Sequence, residues 1–166
     1  SLAGNVDING DLTISGTSQL DVTATPFNIN LAGDWFNLST NADAFVERTG
    51  TVNFDGSTLQ TIDPNSTNLE TFYKLTISGS DVQLPEAKNV TVSNATNISG
   101  IFTLKSSASG TASFLQLGTY TQTGTVKAER FMTGNKWHFM FPVLSSIPTS
   151  TYTNEGANTN TNIYSY

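Results

Sequence analysis

Ile29 to Gly33 reads INLAG, an apolar–x–apolar–x–Gly pattern that decides the fold because it returns at a constant distance. Val6–Gly10 is VDING, Val52–Gly56 is VNFDG and Leu75–Gly79 is LTISG. The starts at 6, 29, 52 and 75 are each 23 residues apart (29 − 6, 52 − 29, 75 − 52). A further copy is expected at 98, where Ile98-Ser99-Gly100 keeps part of the pattern. Every copy alternates, so one face is apolar and the other polar. In the first copy Val6 and Ile8 point inward, Asp7 and Asn9 outward. The in-phase glycines, Gly10, Gly33, Gly56 and Gly79, suit a turn that needs positive φ.

Other strand-like runs fall between these copies: a second LTISG at Leu12–Gly16, VTVSN at Val90–Asn94, Ile101–Leu104 and Phe114–Leu117. Several short strands per constant period imply a right-handed parallel β-solenoid of about 23-residue rungs, over residues 1–125. One rung cannot bury its apolar face alone, whereas stacked rungs share a continuous core. An antiparallel β-sandwich is the alternative, since it also has many short strands and turn signals. The intervals from Leu38 to Thr49 and from Ile62 to Glu70 are expected to be looser loops.

Composition agrees with an all-β chain. Of the 166 residues, 37% are hydrophobic and only 12% charged, about half the usual share of charge. Helix formers are scarce, while Thr, Val, Ile and Phe suit pleated strands. The formal net charge of −6 comes without a basic stripe, so no nucleic-acid partner is expected. The chain has no cysteine, which excludes disulfides, thiolate metal sites and a Cys nucleophile. No run of about 18 apolar residues occurs, so no membrane-spanning helix is expected. Starting at Ser1 without a signal peptide, the chain reads as a mature product or an excised piece of something larger.

Stacking at this period predicts columns of side chains. Asp7, Asn30, Asn53 and Thr76 form an outward column whose amides and hydroxyls can bond along the stack. Its functional counterpart is a flat polar surface for glycans. Asp11, Asp34, Ser57 and Ser80 form a second column. Two carboxylates one rung apart suit a cation or an acid/base pair, but turn-capping Asp is the commoner use. Trp35-Phe36 offers a stacking surface for a sugar ring; its phase suits a core residue and a bulge better. Glu47 and Arg48 are expected to pair at the surface. Asn37, Asn65, Asn89, Asn94 and Asn97 begin N-x-[ST] triplets, which arise by chance in so Asn- and Thr-rich a chain. No catalytic or metal-ligating motif is found, and neither catalytic residues nor cofactors are expected.

Val126–Val143, VKAERFMTGNKWHFMFPV, departs from the rest. It holds Lys127, Arg130 and Lys136, three of the seven basic residues, with His138, the only histidine. His138 alternates with Trp137, Phe139 and Phe141 as in a strand, and Gly134-Asn135 suits a hairpin turn. The stretch therefore reads as a hairpin from Val126 onward rather than as an active site. Residues 126–166 read as that hairpin plus a polar loop, the beginning of a second β module.

The same stretch resembles a V.ERYLTGNKWHLVSSPV-like segment of large secreted and surface proteins of Bacteroidota. There it follows a repetitive β-rich region and opens a β-sandwich module. NIYSY at Asn162–Tyr166 is similar to their NIYSYNE. Ile29–Trp35 (INLAGDW), Gly50–Ile62 (GTVNFDGSTLQTI) and Phe72–Ser80 (FYKLTISGS) resemble their repeats. Phe139-Met140-Phe141 departs from the family, where a Ser pair is common. The resemblance implies a piece of a giant exported protein, carried by type IX secretion machinery through a C-terminal signal outside this chain. It implies an extracellular or cell-surface location and adhesion, gliding or filament roles. The expectation is a non-catalytic structural and adhesive segment that meets surface glycans or a host or neighbour cell surface. The alternative is a glycan-binding or polysaccharide-degrading β-helix. A lyase of that shape needs clustered charges, and the rungs carry only Arg48, Lys74, Lys88 and Lys105 as cations.

Overall fold

A computed structural model describes residues 1–23, 25, 27–64 and 69–134. Ser1–Phe131 form one compact unit; a second, Met132–Tyr166, lies almost entirely outside the described residues. The expected turn at Asn135, His138 and the polar tail all fall in that outside part.

The described regular structure is entirely strand, wound as a parallel β-solenoid of three sides per rung. Rung one is β1 (Val6–Ile8), β2 (Leu12–Gly16) and β3 (Leu20–Asp21). Rung two is β4 (Ile29–Leu31), β5 (Trp35–Ser39) and β6 (Phe45–Val46). Rung three is β7 (Thr51–Phe54), β8 (Leu59–Asp63) and the first half of β9 (Leu69–Ile77). Rung four runs from the second half of β9 through β10 (Asp81–Leu84) into β11 (Asn89–Ile98). Rung five continues through β12 (Ile101–Leu104), a small antiparallel excursion of β13 (Ser106–Ser107) and β14 (Gly110–Thr111), then β15 (Ser113–Gln116). A sixth, partial rung has β16 (Thr119–Gln122) and β17 (Thr125–Ala128). Sides one and two are continuous parallel sheets; parallel pairing sets the sandwich alternative aside.

On side one the pairing Val6, Ile29, Val52, Leu75 keeps the 23-residue spacing. The next members are Thr96 and Tyr120, so the period becomes 21 (96 − 75) and then 24 (120 − 96). The copy expected at 98 therefore begins two residues earlier. Rung four is short because only Pro85–Lys88 join β10 to β11. Rung five is longer because it carries the β13–β14 excursion, and a bulge at Ser93-Asn94 absorbs the mismatch within β11. On side two Trp35 pairs with Ile62, a step of 27 (62 − 35). The buried Gln60 closes this wider corner. Its Oε1 accepts from Gly56 N at 2.8 Å, and its Nε2 donates to Leu31 O at 2.8 Å and Gly33 O at 2.6 Å.

Alternation puts one apolar column inside each side. Ile29, Leu31, Trp35, Phe54, Ile62, Phe72, Leu75 and Ile77 are buried. Each such side chain contributes roughly 1.5–3 kcal/mol by burial. Trp35 meets Phe45 and Phe72 edge-on, with centroids 4.8 and 5.3 Å away. This corrects the expected loop at 38–49. Ser39 ends β5, and Phe45 is a core residue because β6 stacks on β3. In the second expected loop, Ile62 and Asp63 belong to β8, while 65–68 lie outside the described residues.

The glycine expectation also needs correction. Positive φ among glycines occurs at Gly16 and Gly110, and otherwise at Thr23, Arg48 and Ala87. Gly10, Gly33, Gly56 and Gly79 form a ladder instead. A Cβ at Gly33 would overlap the Gly10 backbone, one at Gly79 the Gly56 carbonyl, and one at Gly100 the Gly79 carbonyl. The reason for glycine is close approach between rungs, not turn geometry.

The boundary expected at 125 moves as well. β17 pairs in parallel with β12, Phe102 opposite Val126. Val126–Ala128 therefore continues the solenoid rather than opening an antiparallel hairpin, and Lys105–Glu129 adds an ion pair beyond it.

Candidate functional site

Two places assemble polar groups: the outward column of side one and a recess beside Glu70. The column is real and longer than expected. Asp7, Asn30, Asn53, Thr76, Asn97 and Thr121 stand opposite one another in successive rungs. Asn53 Nδ2 donates to Asn30 Oδ1 at 3.3 Å, and Ser78 Oγ donates to Asn53 Oδ1 at 2.8 Å. Asn97 is exposed at the head of one of the N-x-[ST] triplets.

The carboxylate column breaks after two members. Asp11 Oδ1 accepts from Asp34 N at 2.8 Å. Asp34 Oδ1 accepts from Thr61 N at 2.7 Å, so Thr61 replaces Ser57 as the next neighbour. The 27-residue step of side two is the cause. Both Asp side chains tie one rung to the next. Asn5 and Asn28 do the same at another corner, accepting from Asn28 N at 2.8 Å and Thr51 N at 3.0 Å. Arg48 does not pair with Glu47. It forms two bonds to Asp21, one rung before, at 3.0 and 2.8 Å. That guanidinium, with the Thr23 N–H, holds the Asp21 carboxyl at about 2 against an ordinary 3.8.

Glu70 is the residue that sequence reasoning missed. It is buried, at 4% exposure, on the inward phase of β9 two residues before Phe72. Its Oε2 accepts from Trp35 Nε1 and from Asn37 Nδ2, each at 2.9 Å. Burial raises its pKa above the ordinary 4.5, opposed by the Asn37 and Trp35 donors; the nearby Glu47 charge adds to the rise. A recess of about 280 Å³ opens beside it, lined among others by Asn37, Asp43, Glu47 and Thr71. The signal was present in Leu69–Phe72, LETF, where alternation places Glu70 with Phe72. Trp35 is fully buried, which removes it from sugar stacking, and Asn37 is 2% exposed, which removes its triplet from modification.

The remaining cations are dispersed. Lys88 pairs with Asp63 at 2.8 Å, and Lys105 pairs with Glu129. Lys74 Nζ sits 5.6 Å from the Tyr73 ring centre. Among the described residues no group of three His, Cys, Asp or Glu is placed to hold a metal ion. No described helix is long and apolar enough to cross a membrane. The chain matches no family model, no curated protein and no solved structure.

Proposed function

We propose that this chain is a non-catalytic structural and adhesive segment of a large exported surface protein, presenting its rungs outside the cell. The observation that carries the reading is the outward column Asp7–Asn30–Asn53–Thr76–Asn97–Thr121, which places a short polar side chain (Asp, Asn or Thr) on every rung. A repeated flat polar face offers equivalent contacts along its length, as suits a glycan or a neighbouring cell surface. The pairing of Arg48, Lys88 and Lys105 with Asp21, Asp63 and Glu129 supports the reading further, since it leaves these cations engaged in joining segments of the stack. Passage through secretion machinery belongs to the same proposal.

The test is exposure of the segment on intact cells that express the full-length gene, read by antibody labelling, with binding of the purified chain to a glycan array. Labelling only after lysis, together with an empty array, would overturn the reading. The polysaccharide-degrading alternative draws on one observation, the buried Glu70 beside an open recess. Release of reducing ends from a polysaccharide by the wild-type chain but not by Glu70→Gln would favour it.

A further inference from the structure

Side three is interrupted between rungs two and three. β3 and β6 form a two-stranded sheet of their own, while the first half of β9, Leu69–Phe72, pairs with Asn89–Val92 of β11. Among the described residues β6 and β9 share no ladder. The corners explain the break. Glu47–Gly50 follow β6 in a turn closed by Gly50 N donating to Glu47 O at 3.0 Å. In rung three Tyr73 alone separates Phe72 from Lys74, which resumes the pairing with Thr51. The longer corner of rung two carries β6 out of register with β9. That corner is also fastened backward, to rung one: Arg48 bonds to Asp21, and Gln19 Nε2 donates to Asp43 O at 2.8 Å.

Two lips therefore face each other across a slot. Ala44 O and Val46 O accept from Leu20 N and Val22 N at 2.7 and 3.2 Å. In a parallel ladder alternate residues turn to opposite neighbours, so Phe45 directs its peptide groups away from rung one and into the slot. The recess of about 280 Å³ lies here, with Ala44, Phe45 and Glu47 on one lip and Leu69, Glu70 and Thr71 on the other. From the second lip the Glu70 carboxyl reaches across to Trp35 Nε1 and Asn37 Nδ2 of rung two. Sides one and two stay closed over the same boundary. Ile29–Leu31 pair with Val52–Phe54, and Trp35 and Phe36 pair with Ile62 and Asp63. Gln60 Nε2 bonds to the Leu31 and Gly33 carbonyls, and Thr61 N to Asp34.

We propose that side three is hinged at this slot: its lips part in a local opening, with sides one and two as the hinge and the Glu70 carboxyl as the latch. Local opening concentrates where backbone bonds between segments are fewest, and this boundary has none on side three. The latch guards an aromatic cluster. Phe72 stands edge-on to Trp35 with centroids 5.3 Å apart, and its ring centre lies 5.9 Å from that of Phe45. Opening brings water to these rings without separating the two rungs. Asp43 and Glu47 line the recess together with Glu70, so parting the lips also relieves repulsion between like charges. The hinge does not depend on the proposed adhesive role.

The test is native-state hydrogen exchange by NMR on the full 166-residue chain, in a denaturant series below the unfolding transition. The Trp35 indole N–H reports the latch. The Asp55 N–H, bonded to Leu31 O at 3.1 Å, reports side one across the same boundary, and the Ser78 N–H, bonded to Phe54 O at 2.9 Å, reports the next one. The indole proton is expected to be protected at least about tenfold less than the two amides, and its exchange to depend little on denaturant. Protection of all three to the same degree and with the same denaturant slope would overturn the proposal, since the rungs would then separate only in global unfolding. Glu70→Ala is expected to speed exchange of the indole proton at least about tenfold more than that of Asp55 and Ser78. Equal acceleration of all three would show a general loss of stability and overturn the latch. Should that variant fail to fold, the wild-type series decides alone.

Discussion

Single residues carry the closeness of the stack. Gly33→Val and Gly56→Val are expected to lower stability by about 3 kcal/mol or more, since each new side chain runs first into backbone of the preceding rung, Gly10 and Ala32 respectively, with Asp11 or Gln60 crowding it further. Unchanged denaturant midpoints would refute the ladder. Glu70 has two opposite lessons. Glu70→Leu leaves Trp35 Nε1 and Asn37 Nδ2 without their acceptor and is expected to cost about 2–4 kcal/mol. Glu70→Gln keeps an oxygen acceptor and removes the buried charge. Because the folded pKa is raised, the native protein holds a proton that the unfolded chain has released, so this group's contribution falls as pH rises above 4.5 through the folded value. Chemical unfolding across that range is expected to show a flatter pH dependence for Glu70→Gln than for wild type. The inward phase of Glu70 was legible in the alternation of Leu69–Phe72, but its donors Trp35 and Asn37 were not, nor was the ladder. Glycine at a fixed phase fits both turn geometry and close approach, and only the neighbouring backbone separates the two.

At the scale of elements, β3 and β6 are short, and a cross-rung ion pair fastens the corner that follows them. Asp21 is depressed to about 2, so its contribution is complete above about 3.8 and is lost as pH falls through 2. Asp21→Asn is expected to lower the melting temperature at neutral pH and to remove part of the acid-induced decline between those values. An identical acid profile in the variant would show that Arg48 does not hold the corner. The Arg48–Asp21 pair was not legible in the sequence, where Glu47 is the nearer partner. It is the parallel stacking of β3 on β6 that brings residues 27 apart together (48 − 21). The break in the Asp column has a similar cause. A 23-residue rule read on side one was carried over to side two, where the corner closed by Gln60 lengthens the step.

Over the whole molecule each rung touches only its neighbours, so stability is close to a sum of rung and interface contributions. In this 166-residue chain hydrogen exchange is expected to be slowest in β7, β9 and β11 and to quicken toward β1 and β17, because among the described residues those two strands pair on one side only. Uniform protection from β1 to β17 would contradict that picture. The all-β class, the stacking of short strands and the first three steps of 23 were present in the sequence, because alternation and period are properties of the chain taken residue by residue. The change of step to 21 and 24, the reach of the solenoid to Ala128, the place of Phe45 in the core and the carboxylate of Glu70 among buried donors were decided by the tertiary structure alone. Those features depend on which rung lies against which. Corners of different length change that register without disturbing the local alternation from which a strand is recognised.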